Sequence, residues 1–157
     1  MNIDELDAVE EHKRFMRRCI ELAKIANSQN NTPVGSLIVI NGEIVGEGIE
    51  SLPTGNDVTG HAEVLACQMA VDKTGNKLLD EASLYSTAEP CFMCSYVIRH
   101  CGISFVIYGI ETPVVGGITS SHAILTDTSL PSWKPAPQVL GGVLRGECEQ
   151  LKSTAVE

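Results

Sequence analysis

The segments His61-Ala62-Glu63 and Pro90-Cys91-Phe92-Met93-Cys94, separated by 26 residues, hold one imidazole, two thiols and one carboxylate. A Cys-x-x-Cys at a helix start brings two sulfurs within about 4 Å of each other, which suits zinc–sulfur bonds of about 2.3 Å in a tetrahedron. The positive end of the helix favours the thiolate form, so metal and dipole act in the same direction. His61 adds a third ligand of intermediate softness, and two thiolates against Zn2+ leave the centre near neutral. Structural zinc sites are usually closed by four protein ligands, whereas hydrolytic sites commonly use three and leave the fourth position to water. Here the count stops at three. Glu63 lies about 200° round a helix from His61, yet in a first turn it can reach back over the cavity. It is the expected catalytic residue, a general base toward the water and then a general acid toward the leaving group.

Two plainer readings compete. A lone Cys-x-x-Cys can be a redox pair, but a redox pair needs no upstream His-Ala-Glu. A closed structural zinc knuckle needs a fourth ligand, for which Cys67, His100 and Cys101 are the nominal candidates. Cys67 and Cys101 fall at helical spacing on apolar faces and read as core residues.

The elements that must position these groups follow from the pattern. Between Glu10 and Ser28, Phe15, Cys19, Ile20, Leu22, Ala23 and Ala26 recur at helical spacing and predict a first helix, ended by the Asn-rich stretch 27–31. Segments 36–40 and 43–48 flank Asn41-Gly42, a two-residue hairpin signal. A helix is expected over 61–72 with Thr59 as its N-cap, a strand over 82–87, a helix over 91–100 and a strand over 104–109. Strands alternating with helices imply parallel pairing, so both motif helices should start close together on one side of the sheet. The Gly- and Pro-rich stretch 110–137 predicts loops bordering the site, with a short helix near 122–127. An edge strand over 139–142 and a closing helix over 143–152 complete the chain, with no internal repeat.

Composition bounds the rest. The 157 residues fit a single domain, 1–157, long enough to bury a core without disulfides. Met1 leads into an acidic, helix-like stretch and not a basic-then-apolar leader, so the six cysteines read as reduced thiols of a cytoplasmic protein. No apolar run approaches the roughly 18 residues that a membrane helix requires. The net charge of −9 handicaps binding to a polyanion, and the basic group Lys13, Arg14, Arg17 and Arg18 reads as a solvated helix face.

His61-Ala62-Glu63 with Pro90-Cys91-x-x-Cys94 resembles the signature of the zinc-dependent cytidine deaminase superfamily. Pro33-Val34-Gly35, Gly46-Glu47-Gly48, Leu84-Tyr85-Ser86-Thr87, Glu89-Pro90-Cys91 and Tyr108-Gly109 look like the branch that contains tRNA adenosine deaminases, guanine deaminases and fungal-type cytosine deaminases. The resemblance implies a three-layer α/β/α fold with a mixed five-stranded sheet, zinc held by His61, Cys91 and Cys94, and Glu63 as proton shuttle. It also implies a homodimer, and substrate-holding groups near Ala62 and the Glu89-Pro90 turn. The implied reaction is hydrolytic deamination of an exocyclic amine by a zinc-activated water, with release of ammonia.

Two departures bear on the substrate. The residue two positions after Gly-x-Gly is typically Asn in this branch and is Glu50 here; a carboxylate offers acceptors only and would prefer a ring edge rich in N–H donors. The tail 149–157 carries no basic cluster, unlike tRNA-acting members. The expected substrate is therefore a small aminated heterocycle, a free purine, pyrimidine or triazine base or its nucleoside, with nucleic acid an unlikely partner. The alternatives are a tRNA-specific adenosine deaminase and a non-catalytic zinc-stabilised binding module. Trp133, His122 and Tyr96 are candidate lid or pocket residues, because a planar ring stacks on a heterocycle. Glu63→Gln is expected to leave the zinc content unchanged and to lower ammonia release by at least about a hundredfold, as metal analysis and an ammonia assay will show.

Overall fold

The computed structural model describes residues 2–153, so Met1 and the last four residues of the acidic tail lie outside the described residues. The first helix, α1 (Ile3–Ser28), begins seven residues earlier than the apolar repeat predicts. Residues 3–9 are exposed, so packing does not hold this turn. A capping box does: the Asn2 side chain accepts from the Glu5 backbone N–H, and the Glu5 carboxylate accepts from that of Asn2, both at 2.8 Å.

Strands β1 (Gly35–Ile40) and β2 (Glu43–Ile49) form the expected hairpin, with Asn41 and Gly42 both at positive φ. Helix α2 (Ala62–Thr74), strand β3 (Ser83–Ala88), helix α3 (Phe92–Cys101) and strand β4 (Phe105–Ile110) follow within a residue or two of expectation. A short strand β5 (Gln138–Leu140) and helix α4 (Arg145–Ser153) close the described chain. The helix expected near 122–127 does not form. That segment makes only a turn at 124–126, because its carbonyls are taken by the Arg99 guanidinium, which donates to Ile124, Leu125 and Asp127 at 2.8–3.3 Å.

The sheet order is β2-β1-β3-β4-β5, antiparallel at β2/β1 and β1/β3 and parallel at β3/β4 and β4/β5. Side chains alternate across it. Leu37, Val39, Tyr85 and Ile107 pack under α1 and α4, while Ile38, Leu84 and Val106 meet Ala66, Cys67 and Ala70 of α2 and Ile98 and Cys101 of α3. The result is the expected three-layer arrangement, with both motif helices on one face. Cys67 and Cys101 belong to this second core, as their spacing predicts.

The tightest packing lies where α2 crosses β2. Gly46 and Gly48 present the same face, and a Cβ on either would strike the carbonyl of Ala66 or Ala62 respectively. Two strand residues advance about 6.7 Å and four helical residues about 6 Å, so two glycines match two alanines along the crossing. This contact sets the height of the α2 N-terminus over the sheet. Gly48→Ala is expected to cost about 3 kcal/mol or more in chemical denaturation and to weaken zinc retention, since relief of the clash must lift that terminus.

Candidate active site

Both helix starts are occupied by the motif residues. His61 is the N-cap of α2 in an extended conformation (φ −77, ψ 145), and Cys91 is the N-cap of α3 (φ −70, ψ −179); neither side chain caps its helix. Thr59 is therefore not the cap. Its hydroxyl and N–H both donate to Asp57, at 2.6 and 2.8 Å, within the preceding loop. With the cap role vacant, both side chains point away from their helices toward each other. His61 Nδ1 lies 3.4 Å from Cys91 Sγ and 3.5 Å from Cys94 Sγ.

These three ligand atoms lie within 4.8 Å of one another. The edge of a tetrahedron built on zinc–sulfur and zinc–nitrogen bonds is about 3.6 Å, so the donor set and its spacing fit zinc with one direction left open. In the metal-free state, a hydrogen bond from Cys94, helped by His61 and a backbone N–H, draws the Cys91 thiol down to about 5. Burial lowers the His61 pKa, but the charges of Glu50 and Cys91 outweigh it and the net shift is upward. The same hydrogen bond, with burial, pushes the Cys94 thiol up, so the two sulfurs share one proton that a zinc ion would displace.

Glu63 sits in the first turn of α2, buried, with Oε2 3.5 Å from Cys94 Sγ and Oε1 accepting from the Ser86 hydroxyl at 3.0 Å. Burial pushes its carboxyl up to about 7, against the pull of its own backbone N–H and of Ser86. A carboxyl poised there can both take and return a proton near neutral pH. Ser86 is expected only as part of a strand segment resembling the family, with no role of its own; the signal for one is a hydroxyl in register with Leu84 on an otherwise apolar strand face.

A cavity of about 630 Å³ opens over the site, lined by Glu50, His61, Glu63, Cys91 and the strap Ile110–Val115 and reaching Cys148, Leu151 and Lys152 of α4. Glu50 faces this cavity and is 6% exposed; its Oε1 accepts the Leu52 N–H at 3.1 Å. Burial raises its pKa, and that N–H opposes the rise.

Several expected contacts are placed elsewhere. Glu89 touches the cavity wall, but its carboxylate accepts from the N–H groups of Thr112, Ile118 and Thr119 and from the Thr119 hydroxyl, so it organises the strap. The Pro90 carbonyl is taken by Gly117 N–H and the Ser95 hydroxyl, and Pro90, Ala62 and Trp133 do not line the cavity. Trp133 instead covers the Arg99 guanidinium, 4.1 Å from its ring centroid, and anchors the 124–134 loop. Tyr96 stacks on His100, and His122 meets Phe92 edge-on, outside the cavity lining.

A three-layer fold with a three-ligand zinc centre and a carboxyl held beside it defines a zinc-dependent hydrolytic deaminase. The chain belongs to the family described as the cytidine and deoxycytidylate deaminase zinc-binding region, whose profile matches residues 9–110. It is 35% identical over 147 residues to the tRNA-specific adenosine deaminase of Streptococcus pyogenes serotype M1, covering 94% of this chain and 84% of that protein. A solved structure from a study of A-to-I editing by tRNA:A34 deaminases superposes with a TM-score of 0.82 at 30% identity, over 88% of this chain and 98% of that one. Guanine deaminase from Bacillus subtilis matches at 35% identity and a TM-score of 0.60, over 71% of this chain and 66% of that one.

The raised Glu63 pKa has a consequence for the metal-free protein. A carboxyl whose folded value lies above its ordinary 4.5 stabilises the fold below that pH and loses this advantage as pH rises through about 7. Metal-free Glu63→Gln is therefore expected to match the metal-free parent near pH 4 and to exceed it by up to about 3 kcal/mol at pH 8, measured by denaturant melts across pH.

Proposed function

We propose that residues 1–157 act as one deaminase domain in which His61, Cys91 and Cys94 hold zinc and Glu63 carries the proton. The observation that supports this most is the convergence of the three ligand atoms with Glu63 Oε2 beside them. Zinc held there supplies the Lewis acidity that makes a water nucleophilic near neutral pH. Glu63 would take that water's first proton and give it to the ring nitrogen as the C–O bond forms, then carry the second proton from the added hydroxyl to the amine, so that the C–N bond breaks, a carbonyl remains and ammonia leaves. The six unpaired cysteines favour a reducing, cytoplasmic setting, and resemblance favours a homodimer.

For the substrate, the relatives' names rank an adenosine in tRNA first, which reverses the order expected from net charge. Charge bears on affinity and not on fold. A second reading, a small donor-rich heterocycle, is favoured by Glu50 in the cavity and by ion pairs at three of the four basic-patch residues. Arg18 is bound to Glu47 and Glu21, Lys13 to Glu10 and Arg14 to Glu11, while Arg17 enters no ion pair among the described residues.

Purified zinc-loaded protein is expected to release ammonia from one of two panels, tRNA transcripts at moderate salt or free aminated purines, pyrimidines and triazines with their nucleosides. Inosine in the tRNA selects the first reading, and turnover of free rings with unreacted tRNA selects the second. No ammonia from either panel favours a binding module and overturns the proposal. Under the second reading, Glu50→Asn is expected to weaken kcat/KM for donor-rich rings by tenfold or more, on the order of one charged hydrogen bond. An unchanged preference order sinks the role given to Glu50.

A further inference from the structure

Ser86 stands in β3, at the middle of the sheet, paired with Ser36 of β1 and Tyr108 of β4. It is fully buried, and it shares its face with Leu84, which packs into the core beneath α2 and α3. A hydroxyl on such a face is costly to bury unless it finds a partner. Its partner is Glu63 Oε1, 3.0 Å away. The other carboxylate oxygen, Oε2, accepts from the Cys94 thiol at 3.5 Å, on the side of the three ligand atoms, a hydrogen bond that ends once Cys94 serves zinc as a thiolate. The two oxygens of Glu63 are thus made unequal, one tied to the sheet and one turned to the reacting centre.

We infer that Ser86 is a positioning residue for Glu63, fixing Oε1 against the sheet so that the shuttled proton is carried by Oε2 alone. This rests on the reading of Glu63 as the proton carrier. The hydrogen bond survives both states of the carboxyl. As a carboxylate, Glu63 accepts from Ser86 through Oε1; with the water's proton on Oε2, Oε1 becomes the carbonyl oxygen and still accepts. Ser86 keeps its own proton throughout. The proton that arrives on Oε2 leaves from Oε2 to the substrate, with no need for the carboxyl to rotate. Without the hydroxyl, the carboxyl can turn about its last torsion, a broad and nearly two-fold rotor, and place the proton on the oxygen that faces away.

The test compares Ser86→Ala, Ser86→Val and Ser86→Thr in the zinc-loaded full chain. Thr and Val have nearly the same shape, so they separate the hydroxyl from the added methyl group. With whichever substrate releases ammonia in the screen above, Ala and Val are expected to lower kcat roughly tenfold, the effect of one hydrogen bond. KM and zinc content should stay within twofold, and Thr should restore most of the rate. Carboxyl 13C NMR on glutamate-labelled protein supplies a readout independent of turnover. The resonance that disappears in Glu63→Gln should move in the Ala and Val variants and hold its place in Thr. If Val fails to fold, Ala against Thr decides. A kcat for the variants lacking the hydroxyl within twofold of the Thr variant, or an unmoved Glu63 resonance, overturns the inference. If the parent protein releases no ammonia at all, the proposed function fails and the resonance alone decides whether Ser86 holds Glu63.

Discussion

One zinc ion can bind only if two helix starts, separated by 30 residues of chain, meet within its reach. Most of the described architecture serves that constraint. The Gly46 and Gly48 face lets α2 press onto β2, and the parallel β3/β4 pair returns the chain so that α3 lies beside α2 on the same face. Using His61 and Cys91 as N-caps places each side chain at the mouth of its helix, where the backbone dipole already favours the thiolate. A slip of one residue in either helix start would turn a ligand away from the centre.

Buried charge shows how the same fold separates support from chemistry. Glu89 is surrounded by four donors from residues 112–119, and Arg99 is spread over the carbonyls of residues 124–134 beneath Trp133. Both are saturated and hold loops. Glu63 accepts from the Ser86 hydroxyl through Oε1 and from the Cys94 thiol through Oε2, beside the three possible ligand atoms, while Glu50 accepts from Leu52 N–H and faces the cavity, so these two carboxyls border the site and do not clamp a loop.

The substrate question divides along the same line between local chemistry and surface. Similarity to tRNA adenosine deaminases extends over nearly the whole chain, yet the basic residues at positions 13, 14 and 18 are committed to neighbouring acids. A carboxylate at position 50 changes what the cavity can recognise without altering the zinc centre. The residues that show the family and the residue proposed to select the substrate are therefore different.

Spacing and residue type alone marked His61, Cys91 and Cys94 as a possible zinc-ligand set with Glu63 beside them, and determined the hairpin at Asn41-Gly42 and the order of helices and strands, because these depend on local periodicity and on metal chemistry that few other residue sets can perform. The early start of α1 was legible in principle from Asn2 and Glu5, but it carries no apolar repeat. Only the tertiary structure decided which polar residues face the cavity. Glu50 turned inward, Trp133 and Tyr96 turned to neighbours in the 96–134 region, Glu89 became a clamp, and Ser86 emerged as the partner of Glu63. The physical reason is that the placements of Glu89, Ser86 and Trp133 depend on contacts between residues 23 or more apart in the chain, which no local pattern encodes.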